Sequence, residues 1–311
     1  MDFRHTPVLF TETIESLNIK SEGIYVDGTL GGGGHAAGIC KNLSQKGILI
    51  CIDRDRDALN AAEKNLEKFN CKKYFIHSNY ENIKEILRGL NISGIDGAVL
   101  DLGVSSFQLD NPKRGFSYMK EGPLDMRMNK DDELTAHTIV NEFDKDELTE
   151  IIKKYGEERW AARISEFIVK ERNKEPIVST YQLVDIIKAA IPASARREGP
   201  HPAKRTFQAL RIYINDELGQ LSRSIDHYID VLNSRGRLSI ITFHSLEDRI
   251  VKEAFNSRLD PCTCPKELPV CICNKKTDVK KVCSKPIKPS DQELKENPRA
   301  RSAKLRFIEK R

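Results

Sequence analysis

The 311-residue sequence has no apolar run long enough to cross a membrane. Residues 48–52, Ile-Leu-Ile-Cys-Ile, are among its longest apolar runs, well short of the roughly 18 residues that a transmembrane helix needs. Residues 1–5 lack the apolar stretch of a secretory signal. We therefore expect a protein with no membrane segment that acts in the cytoplasm.

The charge of the chain is mildly basic, with a net charge of +5 and a pI of about 8.6. This balance is compatible with a nucleic-acid partner but does not by itself indicate one. Hydrophobic residues make up 39% of the sequence, which is enough to bury a large core.

Short apolar runs alternate with helical patterns over the first hundred residues. This alternation predicts parallel strands joined by helical crossovers, and hence an α/β fold with a doubly wound, mostly parallel sheet. The predicted strands are 24–26, 47–53, 73–77 and 98–101, and the predicted helices are 35–43, 57–69 and 83–90.

The alternation stops after the fourth strand. Residues 105–130 have no clear period and predict a long functional loop, while 144–191 are purely helical in pattern. A helix at 206–232 and strands at 237–243 and 302–308 follow. We therefore predict a discontinuous core, 1–110 and 206–311, with a loop and all-helical subdomain, 111–205, inserted on the substrate side.

A glycine cluster, Gly31 to Gly34, directly follows the first strand, and Asp53 ends the second. Side-chain-free backbone lets a ligand approach the start of the next helix, and an acid at the second strand can bind both ribose hydroxyls. Together, in a βαβ frame, these features predict a nucleoside-binding site.

Two kinds of nucleoside cofactor are possible. Gly31-x-Gly33-x-x-Ala36 nominally fits the fingerprint of a nicotinamide dinucleotide, which would make the protein an oxidoreductase. However, the glycines are contiguous, and His35 lies where a pyrophosphate would bind. Acids also end the first and fourth strands, at Asp27 and Asp101. Carboxylates repel a pyrophosphate but favour the sulfonium and ammonium groups of S-adenosylmethionine, which is the cofactor we predict.

Several motifs, in order along the chain, carry a family resemblance. The sequence resembles the bacterial 16S ribosomal RNA cytosine-N4 methyltransferases from residue 5 to residue 306. The matching segments are His5–Leu9, Asp27–His35, Asp101–Ser106, Arg114–Ser117, Pro123–Met128, Lys204–Arg211, Phe243–Arg249 and Asn297–Arg306.

This resemblance implies a methyltransferase that uses S-adenosylmethionine to methylate the exocyclic N4 amine of a cytosine in 16S rRNA, in the decoding region of the small ribosomal subunit. It also implies a set of donor contacts. Gly33, Gly34 and His35 would hold the methionine end, Asp53 the ribose and Tyr80 the adenine, while Asp101 and Gln108 would complete the site. A non-catalytic RNA-binding module with a degenerate donor pocket remains an alternative at this point.

Asp101 is the candidate catalytic residue. The cytosine amine is a poor nucleophile, and an acceptor aimed at one of its protons would activate it. Amino methyltransferases of DNA commonly have an acid or amide, two prolines and an aromatic here, whereas this chain has Asp-Leu-Gly-Val at 101–104. The sequence therefore leaves Asp101 with either a catalytic role or one in cofactor binding alone.

A basic stretch near residue 200 is the candidate RNA contact. It suits phosphate binding, and it includes the aromatic residues His201 and Phe207, which could stack on a base. The residues we predict to bind RNA are Arg196, Arg197, Lys204, Arg205 and Arg211.

Four of the eight cysteines lie close together, at Cys262, Cys264, Cys271 and Cys273. Four thiolates could bind zinc, but paired zinc ligands are usually separated by two residues rather than one. The resemblance implies no metal either. The sequence thus favours surface thiols, and we predict no metal.

Overall fold

The computed structural model describes residues 7–197, 199–265 and 272–311. Cys271 and the start of the first family motif, His5-Thr6, lie outside these residues. The chain forms two compact units: unit 1 is 1–103 with 218–311, and unit 2 is 104–217. The sequence placed the divisions after residues 110 and 205. Residues 204–214 belong to unit 2 because this helix packs on the helix at 145–156.

Unit 1 contains a seven-stranded sheet with the order β3-β2-β1-β4-β5-β7-β6. The first five strands of that order are parallel, and β7 runs antiparallel to both β5 and β6. The predicted mostly parallel α/β fold is therefore confirmed, with β6 as a strand that the sequence did not indicate. The strands are β1 Ile24–Asp27, β2 Ile48–Asp53, β3 Lys72–His77, β4 Ile95–Asp101, β5 Leu232–Thr242, β6 Val279–Lys281 and β7 Lys304–Lys310.

Helices cover both faces of this sheet and build unit 2. Those preceding the insertion are α1 Phe10–Leu17, α2 Gly34–Asn42, α3 Arg56–Leu66 and α4 Ile83–Gly89. Unit 2 has α5 Ser106–Asp110, α6 Ala136–Glu142, α7 Lys145–Gly156, α8 Ala161–Arg172, α9 Thr180–Ala190 and α10 Lys204–Ile214. The remainder are α11 Glu217–Val231, α12 Ser245–Leu259 and α13 Asp291–Glu296. No helix in the described ranges is both long and apolar enough to span a membrane.

The central strands are apolar on both faces because both faces are buried. On β1, Tyr25 packs into the core with α2 and α3, whereas its neighbour Val26 packs into the core with α4, α11 and α12. Successive side chains of a strand point to opposite faces, so an uninterrupted apolar strand requires helices on both sides. This arrangement brings the carboxyl ends of β1, β2 and β4 to one edge of the sheet.

Unit 2 has its own apolar core, formed by α6 to α10 and by residues of the segment 116–128. The predicted loop at 105–130 contains α5 and a 3-10 helix, Pro112–Arg114. Two polar side chains hold the segment in place. Arg114, which is buried, donates to the carbonyl oxygens of Arg127 and Met128, both at 2.8 Å. Asn215 accepts from the Met128 amide and donates to the Met126 carbonyl, each at 2.8 Å.

Asn215 also marks a break in the helix that the sequence predicted to run from 206 to 232. The next residue, Asp216, has a left-handed backbone with φ of 45°, so α10 ends at Ile214 and α11 begins at Glu217. The long apolar period continues through both helices. A short break of this kind leaves that period visible in the sequence.

Candidate active site

Three carboxylates lie at the carboxyl edge of the sheet in unit 1. Asp53, Asp27 and Asp101 are the last residues of β2, β1 and β4, which are neighbours in that order. Asp27 is close enough to the other two for each to raise its pKa. The site is therefore electronegative where the glycine loop begins.

The loop between β1 and α2 requires glycine at two positions. Gly31 and Gly33 have φ of 50° and 79°, a left-handed conformation that L residues with side chains rarely adopt. At Gly34, an added Cβ would lie 2.2 Å from Cγ of Pro7. The glycines thus fit a tight turn that leaves the first backbone amides of α2 without a side-chain cap.

Asp53 holds this loop from the neighbouring strand. Its two carboxylate oxygens accept from the amides of Gly31 and Asp55, both at 2.8 Å. Burial raises the pKa of Asp53 to about 6, although these two hydrogen bonds act in the opposite direction. A carboxylate offers about four lone-pair directions, so acceptor capacity remains for a ligand.

His35 and Asp101 face each other across the site. The Nε2 atom of His35 lies 3.5 Å from Oδ2 of Asp101, and the His35 ring stacks near Phe10 at 6.1 Å between centroids. The Asp101 amide donates to the Thr29 hydroxyl at 2.6 Å, which fixes the end of β4. Within the described part of the chain, neither ring nitrogen of His35 has a hydrogen-bond partner, nor does Oδ1 of Asp101, although all three atoms are buried. Buried polar atoms of this kind need a partner, which a ligand can supply.

Asp27 and Tyr228 lie beside these residues. The sequence indicated Asp27 as an acid that favours a positively charged ligand but assigned it no contact, and it gave no sign of Tyr228. Asp27 is buried and accepts from the Thr29 amide at 3.2 Å, and its burial raises its pKa to about 7, with His35 opposing the shift. The Tyr228 hydroxyl, on α11, is buried with no hydrogen-bond partner among the residues described. Its pKa is raised by burial and by nearby Tyr80 and Asp27. The position of Asp27 at the end of β1 can be predicted from sequence. The approach of Tyr228 to Asp27 cannot, because the two residues are far apart along the chain.

Tyr80 starts a 3-10 helix directly after β3. It is half-buried beside the end of β1, since its Cβ would lie 3.3 Å from a Cβ placed on Gly28. The structure therefore brings Gly33, Gly34, His35, Asp53, Tyr80 and Asp101 to one region of unit 1.

Gln108 lies in unit 2. It is buried, and its side chain accepts from the Ser105 amide at 3.0 Å, closing a capping box at the start of α5. Its contact with the methyl donor stays a prediction.

The basic stretch is only partly exposed. Arg196, Arg197, Lys204 and Arg205 are exposed, whereas Arg211 makes a two-pronged ion pair with Glu217 at 2.8 and 3.0 Å. Phe207 is buried in the core of unit 2, and His201 stacks on Tyr118 at 4.8 Å between centroids. Phe207 therefore does not offer a face for stacking on a base.

A glycine turn, three strand-end carboxylates and buried, unsatisfied polar atoms define the class of the protein: an α/β enzyme whose site suits a nucleoside that carries positive charge. The chain belongs to the MraW methylase family, whose sequence profile matches residues 2–311. It is accordingly a methyltransferase dependent on S-adenosylmethionine, and not a nicotinamide oxidoreductase.

Relatives with the name ribosomal RNA small subunit methyltransferase H match the whole chain. Identity is 54% to the protein of Clostridioides difficile (strain 630), 53% to that of Ruminiclostridium cellulolyticum and 56% to that of Acetivibrio thermocellus. In each case the match covers 100% of both chains. Among solved structures, an rRNA methylase from Streptococcus thermophilus is similar at a TM-score of 0.43 and 14% identity, over 97% of this chain and 93% of that one.

Proposed function

We propose that this protein methylates the exocyclic N4 amine of a cytosine in the 16S rRNA of the small ribosomal subunit, in the cytoplasm. The observation that carries the proposal is full-length identity of 53–56% to relatives with the name ribosomal RNA small subunit methyltransferase H. The base and the atom are those that the family resemblance of the sequence implies.

The site fits S-adenosylmethionine by its charge and by its unsatisfied atoms. S-adenosylmethionine supplies an electrophilic methyl group on a positively charged sulfur. Asp27, Asp53 and Asp101 offset that charge. The ring nitrogens of His35, which have no hydrogen-bond partner among the described residues, can bind polar groups of the methionine end. The amides at the start of α2, which no side chain caps, suit its carboxylate.

We assign the ribose and adenine contacts to residues near the same edge of the sheet. Asp53 already uses two lone pairs on Gly31 and Asp55, and its remaining two suit the two ribose hydroxyls. Tyr80, half-buried beside the end of β1, would pack against the adenine. We retain the contact of Gln108 with S-adenosylmethionine as a proposal.

Asp101 is our proposed proton acceptor. The cytosine amine is weakly nucleophilic because its lone pair is delocalised into the ring, so an acceptor on one of its protons raises its reactivity. The backbone of Asp101 is fixed by Thr29, and its Oδ1 has no hydrogen-bond partner in the described ranges. A fixed carboxylate of this kind can accept that proton without reorganising.

RNA binding is assigned to the exposed cations of unit 2. Arg196, Arg197, Lys204 and Arg205 suit phosphate contacts, which set affinity without reading sequence. We leave Arg211 out of this set because Glu217 already neutralises its charge. The target base has to be unstacked before its amine can reach a donor methyl group, so we expect a loop or flipped nucleotide as the substrate.

The experiment is mass mapping of methylated cytosines in 16S rRNA from cells with and without this protein. We expect one cytosine to lose its N4-methyl group in the deletion strain and to regain it when the gene is restored. An unchanged methylation map, together with retained donor affinity of the purified protein, would favour the non-catalytic RNA-binding alternative.

A further inference from the structure

Three cysteines that methyl transfer does not use lie together in unit 1. They are in the segment that joins α12 to β6, and the Sγ atoms of Cys262, Cys264 and Cys273 all lie within 4.8 Å of one another. Those of Cys262 and Cys273 are 3.9 Å apart. The sequence could not show this approach, because Cys273 follows the other two by about ten residues along the chain.

These distances fit a shared metal ion better than a disulfide. A disulfide needs its sulfurs about 2.05 Å apart. Tetrahedral zinc with zinc–sulfur bonds of about 2.3 Å places its sulfur ligands about 3.8 Å from one another. The 3.9 Å separation of Cys262 and Cys273 lies close to the second value.

The surroundings of the cluster also suit thiolates. The backbone amide of Ile272 approaches Cys264 Sγ at 3.4 Å, an interaction that stabilises negative charge on sulfur. All three residues are at least partly accessible to solvent, which gives an ion a route of entry. By contrast, burial raises the pKa of Cys51 well above its usual value and keeps it a neutral thiol. The three clustered cysteines are therefore better placed to bind a metal ion than the buried cysteines of the sheet core.

We propose that Cys262, Cys264 and Cys273 bind a zinc ion as thiolates, releasing three thiol protons on binding. The ion links Cys262 and Cys264 to Cys273 in the segment between α12 and β6. Its role is structural, and a fourth ligand completes the tetrahedron. Cys271 lies outside the described residues, and the proposal does not depend on it.

The first test measures metal content in the full-length protein, purified without chelator and then exposed to zinc. We expect one zinc per chain. Cys262→Ser and Cys273→Ser should each lower zinc affinity at least about tenfold. The matched control is Cys283→Ser, because the Cys283 thiol donates to the Lys285 carbonyl at 2.9 Å and is not part of the cluster. Undiminished zinc in the two cluster variants would overturn the proposal.

Two further measurements use the unaltered protein, so they do not require any variant to fold. Cobalt added to the metal-free protein should give the visible and near-ultraviolet absorption of a tetrahedral thiolate site. Zinc should also protect Cys262, Cys264 and Cys273, but not Cys283, from alkylation mapped by mass spectrometry. Equal labelling with and without zinc, a native disulfide within the cluster, or copper or iron in place of zinc would each reject the assignment.

Discussion

Replacing Asp53 by asparagine tests how the site recognises the donor. The carboxylate uses one lone pair of each oxygen on the amides of Gly31 and Asp55, both at 2.8 Å, and has two left for the ribose hydroxyls. Asparagine keeps one oxygen and turns the other acceptor into a donor. It therefore loses at least one hydrogen bond to a charged acceptor.

A bond of that kind contributes about 1.5–3 kcal/mol, so we expect donor affinity to fall roughly 10- to 150-fold. The pH dependence gives a second signature. Because burial raises the pKa of Asp53 to about 6, the acceptor is anionic above that pH and neutral below it. Donor affinity of the unaltered protein should thus decrease as pH falls through about 6, and the contribution of Asp53 should be missing from Asp53→Asn.

The assay is calorimetric titration with S-adenosylhomocysteine and with its 2′-deoxy analogue. The unaltered protein should bind the analogue more weakly, and Asp53→Asn should bind the two ligands with similar affinity. Glu63→Gln is the matched control, because it removes one negative charge from an exposed position on α3. If Asp53→Asn weakened both ligands by the same factor, Asp53 would act only by holding Gly31, and the ribose contact would be refuted.

Three further predictions concern other parts of the site. Asp101→Asn should lower the single-turnover methylation rate about 10²- to 10⁴-fold with smaller loss of donor affinity, and near-normal turnover would remove Asp101 from the mechanism. Asp27→Asn should increase the free energy of unfolding, measured without methyl donor, by up to about 4 kcal/mol above pH 7. At that pH the unaltered protein must ionise a buried acid, which destabilises its folded state, whereas asparagine stays neutral. This gain should vanish towards pH 4, and equal gains at both pH values would contradict it. Neutralising four exposed cations should reduce the slope of log affinity for RNA against log salt by about 3 while donor affinity survives, and an unchanged slope would reject this RNA contact. These cations are Arg196, Arg197, Lys204 and Arg205, with Lys64→Gln/Lys68→Gln as the control.

The sequence predicted the parts of the site that local patterns of strands, helices and glycines determine. Alternating strands and helices place the ends of β1, β2 and β4 at one edge, so the convergence of Asp27, Asp53 and Asp101 follows from local patterns. The glycine turn is equally local. Its need for left-handed backbone at Gly31 and Gly33 explains why the loop could be recognised from composition alone.

Contacts between distant residues could not be predicted in this way. The Thr29 hydroxyl accepts from the Asp101 amide, and Tyr228 reaches the end of β1 from α11, but no periodicity links such positions. The ion pair of Arg211 could not be predicted either, since only the structure shows that Glu217 neutralises its charge. The sequence indicated a positive charge at Arg211, but its ion pair with Glu217 makes that charge less available to a phosphate.

The order of strands in the sheet has a consequence for synthesis on the ribosome. β4 pairs with β5, yet all of unit 2 is made between them, at 104–217. Until β5 emerges, the apolar residues 98–100 of β4 form an open sheet edge, which is prone to pairing with other chains. Early folding of unit 2 on its own core would shorten the effective loop that must close before the edge is covered. Faster closure of that loop would shorten the time for which the edge of β4 is open.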